Sequence, residues 1–143
     1  MQVKEVMTRG AECVAPDATL QEAARKMKDL DVGPLPDCGD NNKLVGLLTD
    51  RDIVVRAVAE GKDPRTAKVR EAMTEGVCYC FEDDDTEGAA QIMANHQVRR
   101  LPVLNRNKRL VGVVALADIS RAEDEAAQGA LKDISEPTDK ERR

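Results

Sequence analysis

A threonine and an aspartate stand three residues apart where a strand is predicted to end and a helix to begin. Thr49 follows the apolar run 44–48, and Asp52 falls in the first turn of the next predicted helix. Free backbone N–H groups at a helix start attract phosphate, a threonine hydroxyl adds a donor, and a carboxylate can accept hydrogen bonds from ribose hydroxyls. The same spacing is typical of a capping box, in which each side chain accepts a hydrogen bond from the backbone N–H of the other residue. The spacing alone leaves nucleotide binding and helix capping both open.

The same junction recurs 66 residues further along the chain. Residues 3–53 align without a gap on residues 69–119, and 18 of the 51 pairs are identical. Asp52 is repeated as Asp118, although Ala115 stands at the position of the threonine. A duplication this complete predicts two similar lobes related by a pseudo-two-fold axis, with paired clefts where the lobes meet.

Each copy predicts the order strand, helix, strand, strand, helix. Thr19 and Glu22 have the capping-box spacing of a helix start, and strands are expected over 34–37 and 43–49 around a turn rich in Gly, Asp and Asn. Apolar residues at i, i+3, i+4, i+7 and i+10 predict one buried stripe on the first helix. That stripe comprises Leu20, Ala23, Ala24, Met27 and Leu30.

The predicted fold class is α/β, in the α+β sense, with two pseudo-symmetric β-α-β-β-α repeats packed sheet to sheet. Each copy is near the size at which a single core becomes marginal, so we expect the copies to bury a face against each other. We divide the 143 residues into repeat 1 (1–62), a linker (63–68), repeat 2 (69–123) and a polar C-terminal tail (124–143).

Composition narrows the function classes. The net charge of −5, with acids and bases mixed along the chain, makes nucleic-acid binding an unlikely function. An apolar leader and an eighteen-residue apolar run are both missing, which predicts a cytoplasmic protein without a membrane span. One histidine, two serines and the lack of a nucleophile motif or phosphate-binding loop predict a protein that is not an enzyme.

Four cysteines allow a redox or metal role to be considered. Cys78 and Cys80 are not at the usual zinc spacing, and the chain has a single histidine, so no metal is expected. A disulfide between Cys13 and Cys38 is geometrically feasible if their two strands are adjacent. A reducing cytoplasm favours two buried thiols instead. Both states remain open at this point.

The whole arrangement resembles a tandem pair of CBS domains (cystathionine β-synthase domains), also called a Bateman module. The resemblance covers residues 3–120, and segments 49–54 and 96–103 are similar to stand-alone bacterial pairs that include stress and hypoxic-response proteins. It is carried by Met7-Thr8, the Ala-Ala-x-x-Met helices, Leu35-Pro36, Leu101-Pro102-Val103, and Gly46, Thr49 and Asp52.

This resemblance implies a non-catalytic regulatory module that binds an adenine nucleotide or related adenosyl compound, such as AMP, ATP, NAD or S-adenosylmethionine, in the clefts between the repeats. It implies that Asp52 and Asp118 hold ribose and that Thr49 and nearby groups hold phosphate. The first cleft would combine Thr49, Arg51 and Asp52 with Thr74, Val77 and Tyr79. The second cleft would combine Arg99, Arg100 and Asp118 with Thr8, Ala11 and Cys13.

Each expected cleft lacks part of this set. The second lacks the hydroxyl because Ala115 replaces the threonine, and the first has Gly33-Pro34 where the second has Arg99-Arg100. The two arginines have an alternative interpretation as ordinary solvated charges.

The resemblance also implies a homodimer formed through helices that flank the clefts, with an unknown protein partner or the dimer geometry carrying the signal. The apolar residues of the second predicted helix are expected both to form its buried side and to supply this contact, whereas the matching surface around 120–124 is polar. An alternative function is a redox- or stress-responsive interaction protein without a nucleotide, in which Cys13 and Cys38 matter most. The apolar helix residues are Ile53, Val54, Ala57 and Val58.

Overall fold

The computed structural model describes the backbone of residues 1–135 and the side chains of residues 1–128. The strands in this range are β1 (Thr8–Arg9), β2 (Pro34–Cys38), β3 (Leu44–Thr49), β4 (Cys80–Phe81), β5 (Arg100–Leu104) and β6 (Leu110–Ala115). The helices are α1 (Leu20–Leu30), α2 (Asp50–Ile53), which continues as a π-helical turn over Val54–Val58, α3 (Thr86–His96) and α4 (Leu116–Ser135). Short 3-10 turns lie at Val3–Glu5, Asp40–Asn42 and Val69–Glu71.

Helix α4 runs without a break through residues 123 and 124, where we placed the boundary between repeat 2 and the tail. The remainder of the predicted tail, residues 136–143, lies outside the described residues.

Helix α1 begins at the predicted capping box. The Glu22 N–H donates to Thr19 Oγ1 at 3.1 Å, and the Thr19 N–H donates to the Glu22 carboxylate at 2.8 Å. Ala24 and Leu30 are exposed, so the buried stripe is narrower than predicted. The residues that α1 buries are Leu20, Ala23 and Met27.

Two sheets face each other across the pseudo-two-fold axis. The antiparallel hairpin β2–β3 forms one sheet, and its counterpart β5–β6 forms the centre of the other, in the order β1-β6-β5-β4. Cys38, Leu104 and Leu110 are buried between the sheets, with Leu44 and Tyr79 packed against them. The predicted α+β architecture of two repeats packed sheet to sheet is confirmed.

The first nine residues complete the second repeat rather than the first. The Val3 N–H donates to the Asp84 carbonyl at 2.8 Å, and β1 pairs with β6 through Thr8 and Val113. The Val3 side chain is fully buried in the core of the second repeat, which includes Met93. The second core therefore depends on a segment that precedes the first repeat in the chain.

The segment after the linker completes the first repeat in the same way. The Val69 N–H donates to the Ala18 carbonyl at 2.8 Å, and Leu47 and Thr74 exchange two backbone hydrogen bonds of 2.9 and 2.8 Å. Val69 and Ala72 are buried in the core of the first repeat. We call residues 1–9 and 67–74 the crossed segments, because each leaves its own repeat and packs on the other.

Two glycines make room for the crossed segments. A Cβ at Gly112 would lie 2.5 Å from the Thr8 carbonyl oxygen, and a Cβ at Gly46 would lie 2.8 Å from that of Thr74. These distances are shorter than any real Cβ contact, so only glycine fits where the backbones approach so closely. This packing explains why both repeats have a glycine at the equivalent positions 46 and 112.

The helix after β3 does not bury the face that the sequence pattern predicts. Ala57 is fully buried and Ile53 is half-buried, but Val54 and Val58 are 57% and 60% exposed. The prediction assumed α-helical spacing, whereas the Ala59 N–H reaches back five residues to the Val54 carbonyl. The wider turn changes which residues share a face, and Val55, which we did not single out, is also 46% exposed.

The crossed segments lead to a stability prediction. Replacing the fully buried Val3 by Ala removes packing from the core of the second repeat, and we expect the free energy of unfolding to fall by about 2 kcal/mol. Urea denaturation followed by circular dichroism measures this change. Lys4→Ala, at an exposed neighbouring position, is the control and should change stability by less than about 0.5 kcal/mol. Equal stability of Val3→Ala and wild type would contradict the described packing.

Candidate functional site

The second cleft is a cavity of about 860 Å³ between the two repeats. The second repeat contributes the start of α4 and the segment that leads into β5, and the first repeat contributes 34–36 and Leu47. Five of the six residues that we predicted for this cleft line it, whereas Cys13 does not. The five are Thr8, Ala11, Arg99, Arg100 and Asp118.

Asp118 lies in the first turn of α4, at the wall of this cavity. Its Oδ2 accepts a hydrogen bond from the Ala115 N–H at 3.3 Å, and its Oδ1 accepts one from Arg121 Nη1 at 3.3 Å. The carboxylate therefore helps to cap the helix although the alanine provides no hydroxyl. It is held at the junction of strand and helix, where a sugar could reach it.

Two arginines enter the cavity from the end of the β5–β6 hairpin at which α4 begins. The Arg99 carbonyl accepts the Leu116 N–H at 2.8 Å, and Arg100 pairs with Ala115 in the sheet. Both residues are exposed, so their guanidinium groups are accessible to a ligand. Backbone pairing thus places two arginines next to the first turn of α4.

Sequence reasoning missed two further arginines in the lining, Arg9 and Arg121. Arg121 stands three residues after Asp118, a helical spacing that places the two side chains together. Arg9 directly follows Thr8 in the crossed segment, and its guanidinium also lies 4.0 Å from the Glu82 carboxylate. The helical spacing was readable from the sequence, whereas the contribution of Arg9 depends on the crossing of the segment.

In the first cleft, Thr49 and Asp52 form a reciprocal cap. The Asp52 N–H donates to Thr49 Oγ1 at 3.0 Å, and the Thr49 N–H donates to Asp52 Oδ2 at 3.0 Å. The structure thus shows the capping interaction, which was one of the two alternatives that the spacing allowed. The capping side chains are the same ones that we expect to bind ribose and phosphate. Thr74 lies nearby because it pairs with Leu47, and Arg51 is exposed.

The other residues predicted for the first cleft occupy a separate place. Val77 and Tyr79 line a cavity of about 490 Å³ together with Lys43 and Arg106, and neither Thr49 nor Asp52 contributes to that lining. The Tyr79 ring meets the Phe81 ring edge-on at 5.6 Å. The structure therefore does not place Val77 and Tyr79 in one cavity with the threonine and the aspartate.

The two halves each match one family model. The CBS domain model matches residues 3–58 and residues 69–125, which together make up most of the chain. The chain belongs to the CBS domain family. Its two repeats are a CBS pair, and the resemblance drawn from the motifs is confirmed.

Relatives of known structure support the same assignment. Hypoxic response protein 1 of Mycobacterium tuberculosis is 42% identical over 118 residues, which are 82% of this chain and 82% of that protein. The crystal structure of Hypoxic Response Protein I with two coordinated zinc ions has a TM-score of 0.77 at 41% identity and covers 85% of this chain and 98% of its own.

Two other CBS pairs of known structure contain adenosyl ligands. The pair of protein MJ0100, in complex with 5′-methylthioadenosine and S-adenosyl-L-methionine, has a TM-score of 0.74 at 28% identity and covers 88% of this chain and 98% of its own. CBSX2 in complex with AMP has a TM-score of 0.75 at 25% identity and also covers 88% and 98%.

The described residues of this CBS pair contain neither a cluster of metal-ligating side chains nor a membrane-spanning helix. Within the described part of the chain, no three His, Cys, Asp or Glu side chains are grouped so that they could hold a metal ion, in contrast to the two zinc ions of the relative. Of the helices in residues 1–135, none is both long and apolar enough to cross a membrane.

The four cysteines are free thiols in this structure. The backbone of Val14 pairs with that of Asp37, so the segments of Cys13 and Cys38 are adjacent, as the disulfide would require. Burial and the neighbouring Cys13 raise the pKa of the Cys38 thiol above its usual range, which keeps it protonated and slow to form a disulfide. The structure therefore favours the interpretation as thiols, although Cys13 is only half-buried.

An acidic residue that the sequence analysis did not single out lies in the core of the first CBS repeat. Asp37 is fully buried, and neither carboxylate oxygen has a hydrogen-bond partner. Val103, which is also fully buried, holds the equivalent position in the second repeat. Removal from water and, secondarily, repulsion by Asp52 raise the pKa of Asp37 to about 7. A carboxyl group thus stands where the second repeat has a valine.

The raised pKa of Asp37 predicts that stability falls as pH rises. In the unfolded chain an aspartate titrates near 4, so between about pH 4 and 7 only the unfolded state loses the proton. This difference should lower the free energy of unfolding by up to about 4 kcal/mol across that window, with no further loss above it. Urea denaturation at pH 4, 5, 6, 7 and 8 tests the expectation.

Two variants isolate the contribution of Asp37 to this pH dependence. Asp37→Asn keeps the shape but removes the titration, so its stability should lack this fall between pH 4 and 7. Asp37→Val copies the second repeat and should be more stable than wild type at pH 8 by at least about 2 kcal/mol. The same pH slope in wild type and Asp37→Asn would show that the carboxyl group does not titrate as described.

Proposed function

We propose that this CBS pair is a non-catalytic ligand sensor that binds an adenine nucleotide or related adenosyl compound between its repeats. The observation that carries the proposal is the 860 Å³ cavity in the second cleft, where Asp118 and several arginines converge from different elements. A carboxylate suits the ribose hydroxyls, and guanidinium groups suit phosphate. The candidate ligands are AMP, ATP, NAD and S-adenosylmethionine.

The shape and lining of the cavity support a nucleoside rather than a bare anion. Its volume is in the range of small-molecule sites, and apolar side chains such as Val32, Leu35 and Val113 line it beside the charges. An adenine ring could pack on these apolar groups while its ribose faces Asp118. AMP in CBSX2 and the adenosyl ligands of the MJ0100 pair support the same ligand class.

A sensor also needs a way to pass on the binding event. The cavity lining combines residues 8–12, which begin in the first crossed segment, with residues 34–36 of the first repeat and the start of α4. A ligand there touches both repeats, so it shifts their relative arrangement if it binds one arrangement more tightly than another. The signal then leaves through the geometry of a dimer or through a partner protein.

The absence of a catalytic role is part of this proposal. His96, the one histidine in the sequence, is exposed, and its Nδ1 lies 3.0 Å from the Ile92 carbonyl of its own helix. It does not line the 860 Å³ cavity, so the ligand would meet no imidazole base there. A cytoplasmic location stays a prediction from composition.

Ligand binding can be tested directly. We expect at least one of AMP, ADP, ATP, NAD and S-adenosylmethionine to bind the full chain, as measured by isothermal titration calorimetry with up to millimolar ligand. Asp118→Ala should weaken that binding about 10-fold or more, because the ribose loses a charged acceptor. Glu123→Ala, an exposed carboxylate outside the cavity lining, is the matched control. Failure of all these compounds to bind would overturn the proposed function.

A homodimer is the second part of the proposal, with a second copy covering the exposed valines of the helix after β3. Val54, Val55 and Val58 are 57%, 46% and 60% exposed within five residues of one another. Three neighbouring exposed valines form a contact surface that a second copy can bury by two-fold symmetry. Ile53 and Ala57, which we also expected in this contact, are less exposed than the valines. Val55 takes their place in the proposed contact surface.

The dimer leads to a prediction about association. We expect the wild type to be a dimer at 50 µM in sedimentation velocity, and the double variant Val54→Glu and Val58→Glu to be a monomer, since it places charges in an apolar contact. Gln21→Glu with Gln91→Glu adds the same charge at exposed helix positions and should remain dimeric. A monomeric wild type, or a dimeric valine variant, would contradict this contact.

A further inference from the structure

The two clefts of the pair carry opposite charge although their backbones are related by the pseudo-two-fold axis. The lining of the second cleft contains four arginines and two carboxylates, which leaves it with a net positive charge of two. These six residues are Arg9, Arg99, Arg100, Arg121, Glu12 and Asp118.

None of the four arginines has a basic counterpart at the position related to it by the repeat. The two repeats are offset by 66 residues. At the positions that this offset relates to the four arginines, the sequence has one acid and three uncharged residues. The replacements are Glu75, Gly33, Pro34 and Val55. A ligand in the first cleft would therefore meet no arginine from these four positions.

Near the first cleft the acids Asp50, Asp52 and Glu75 outnumber the bases Arg51 and Arg56. The Arg56 guanidinium donates to the Ala72 and Met73 carbonyls at 3.3 and 3.2 Å. Asp52 and Asp50 open α2, and Arg51 between them is the one basic residue of that turn. The Asp50 carboxylate lies 3.1 Å from the place that a Cβ on Gly33 would take, so an acid stands beside the position at which the second repeat has the Arg99 side chain.

The negative charge of a phosphate group makes its binding sensitive to the difference in charge between the two clefts. AMP carries about two negative charges at neutral pH and ADP about three, because the terminal phosphate has a second pKa near 6. In a cleft partly shielded from water, neighbouring like charges repel more strongly than in bulk water, because the effective dielectric constant is lower. The same phosphate next to guanidinium groups gains charge-assisted hydrogen bonds.

We propose that each chain binds one nucleoside phosphate, in the second cleft only, and that the acidic first cleft excludes it. This inference rests on the proposed function and specifies which of the two related sites is used and what ligand charge it selects. Arg99 and Arg100 hold the phosphate, Arg121 moves between Asp118 and the phosphate, and Asp118 accepts the ribose hydroxyls.

Calorimetric titration of the full chain with ADP, in the absence of divalent cations and at low salt, measures the number of sites. We expect one ADP per chain and an affinity that falls as salt increases, since the contact is electrostatic. Adenosine, which lacks the phosphate, should bind at least about 10-fold more weakly. Two ADP molecules per chain, or equal affinities for adenosine and ADP, would overturn the inference.

Charge-matched variants locate the site. Arg99→Gln combined with Arg100→Gln should weaken ADP binding about 10- to 100-fold, the effect of one or two charge-assisted hydrogen bonds, and should leave adenosine binding within about 2-fold. Arg25→Gln combined with Arg65→Gln removes the same charge from exposed positions outside both clefts and should bind ADP as the wild type does. Equal ADP affinity in the two double variants would place the phosphate elsewhere and overturn the inference.

These outcomes separate the inference from the proposed function. If ADP binds at two sites or without the arginines, the protein still senses an adenine nucleotide and only the charge selection is wrong. If none of the adenosyl compounds binds, the sensor function itself is wrong, and this inference fails with it.

Discussion

The structure depends on the exchange of short segments between the two repeats. Val3 fills the core of the second repeat and Val69 fills that of the first, each with no exposed surface. Backbone hydrogen bonds fix both segments, and the glycines at 46 and 112 allow the backbones to approach. Neither repeat can close its core from its own continuous stretch of chain. The clefts exist because the same segments that close the cores also pass between the lobes.

The backbones of the two repeats are similar in this pair, whereas many of their side chains differ. The duplicated residues include the glycines at the crossings, the methionines of α1 and α3, and the aspartates at the helix starts. Several residues that differ lie around the proposed ligand positions, such as Arg99 against Gly33 and Ala115 against Thr49. A repeated fold thus provides two equivalent frames, and local substitutions decide what each frame can hold.

The sequence predicted much of this fold because its signals are local. The capping boxes at Thr19 and Thr49, the hairpins and the internal repeat are each readable from neighbouring residues, and all are present. The crossed segments were not predicted as such because their contacts join residues about 80 positions apart, as Val3 and Asp84 show. The exposure of Val54 and Val58 was missed because the helix widens to a π-helical turn there.

The candidate site was predicted only in part, because some of its residues are brought together by contacts between distant parts of the chain. Asp118, Arg99 and Arg100 are close to one another in the chain and share one cavity, whereas Arg9 joins them through the crossing and was missed. Asp37 was not singled out from the sequence, and the structure shows that it is fully buried in β2. Its lack of a hydrogen-bond partner is a property of three-dimensional packing and not of spacing.

The connection between the halves has a topological consequence. Residues 58–66 are exposed throughout, and the segments that complete the repeats lie on either side of them. A chain cleaved within this stretch would yield two fragments, each bearing the piece that the other is missing, so the fragments can reassemble without a covalent link. The same reciprocity lets two intact molecules trade halves through this loop, which makes its length and stiffness the determinants of whether a molecule closes on itself or on a neighbour.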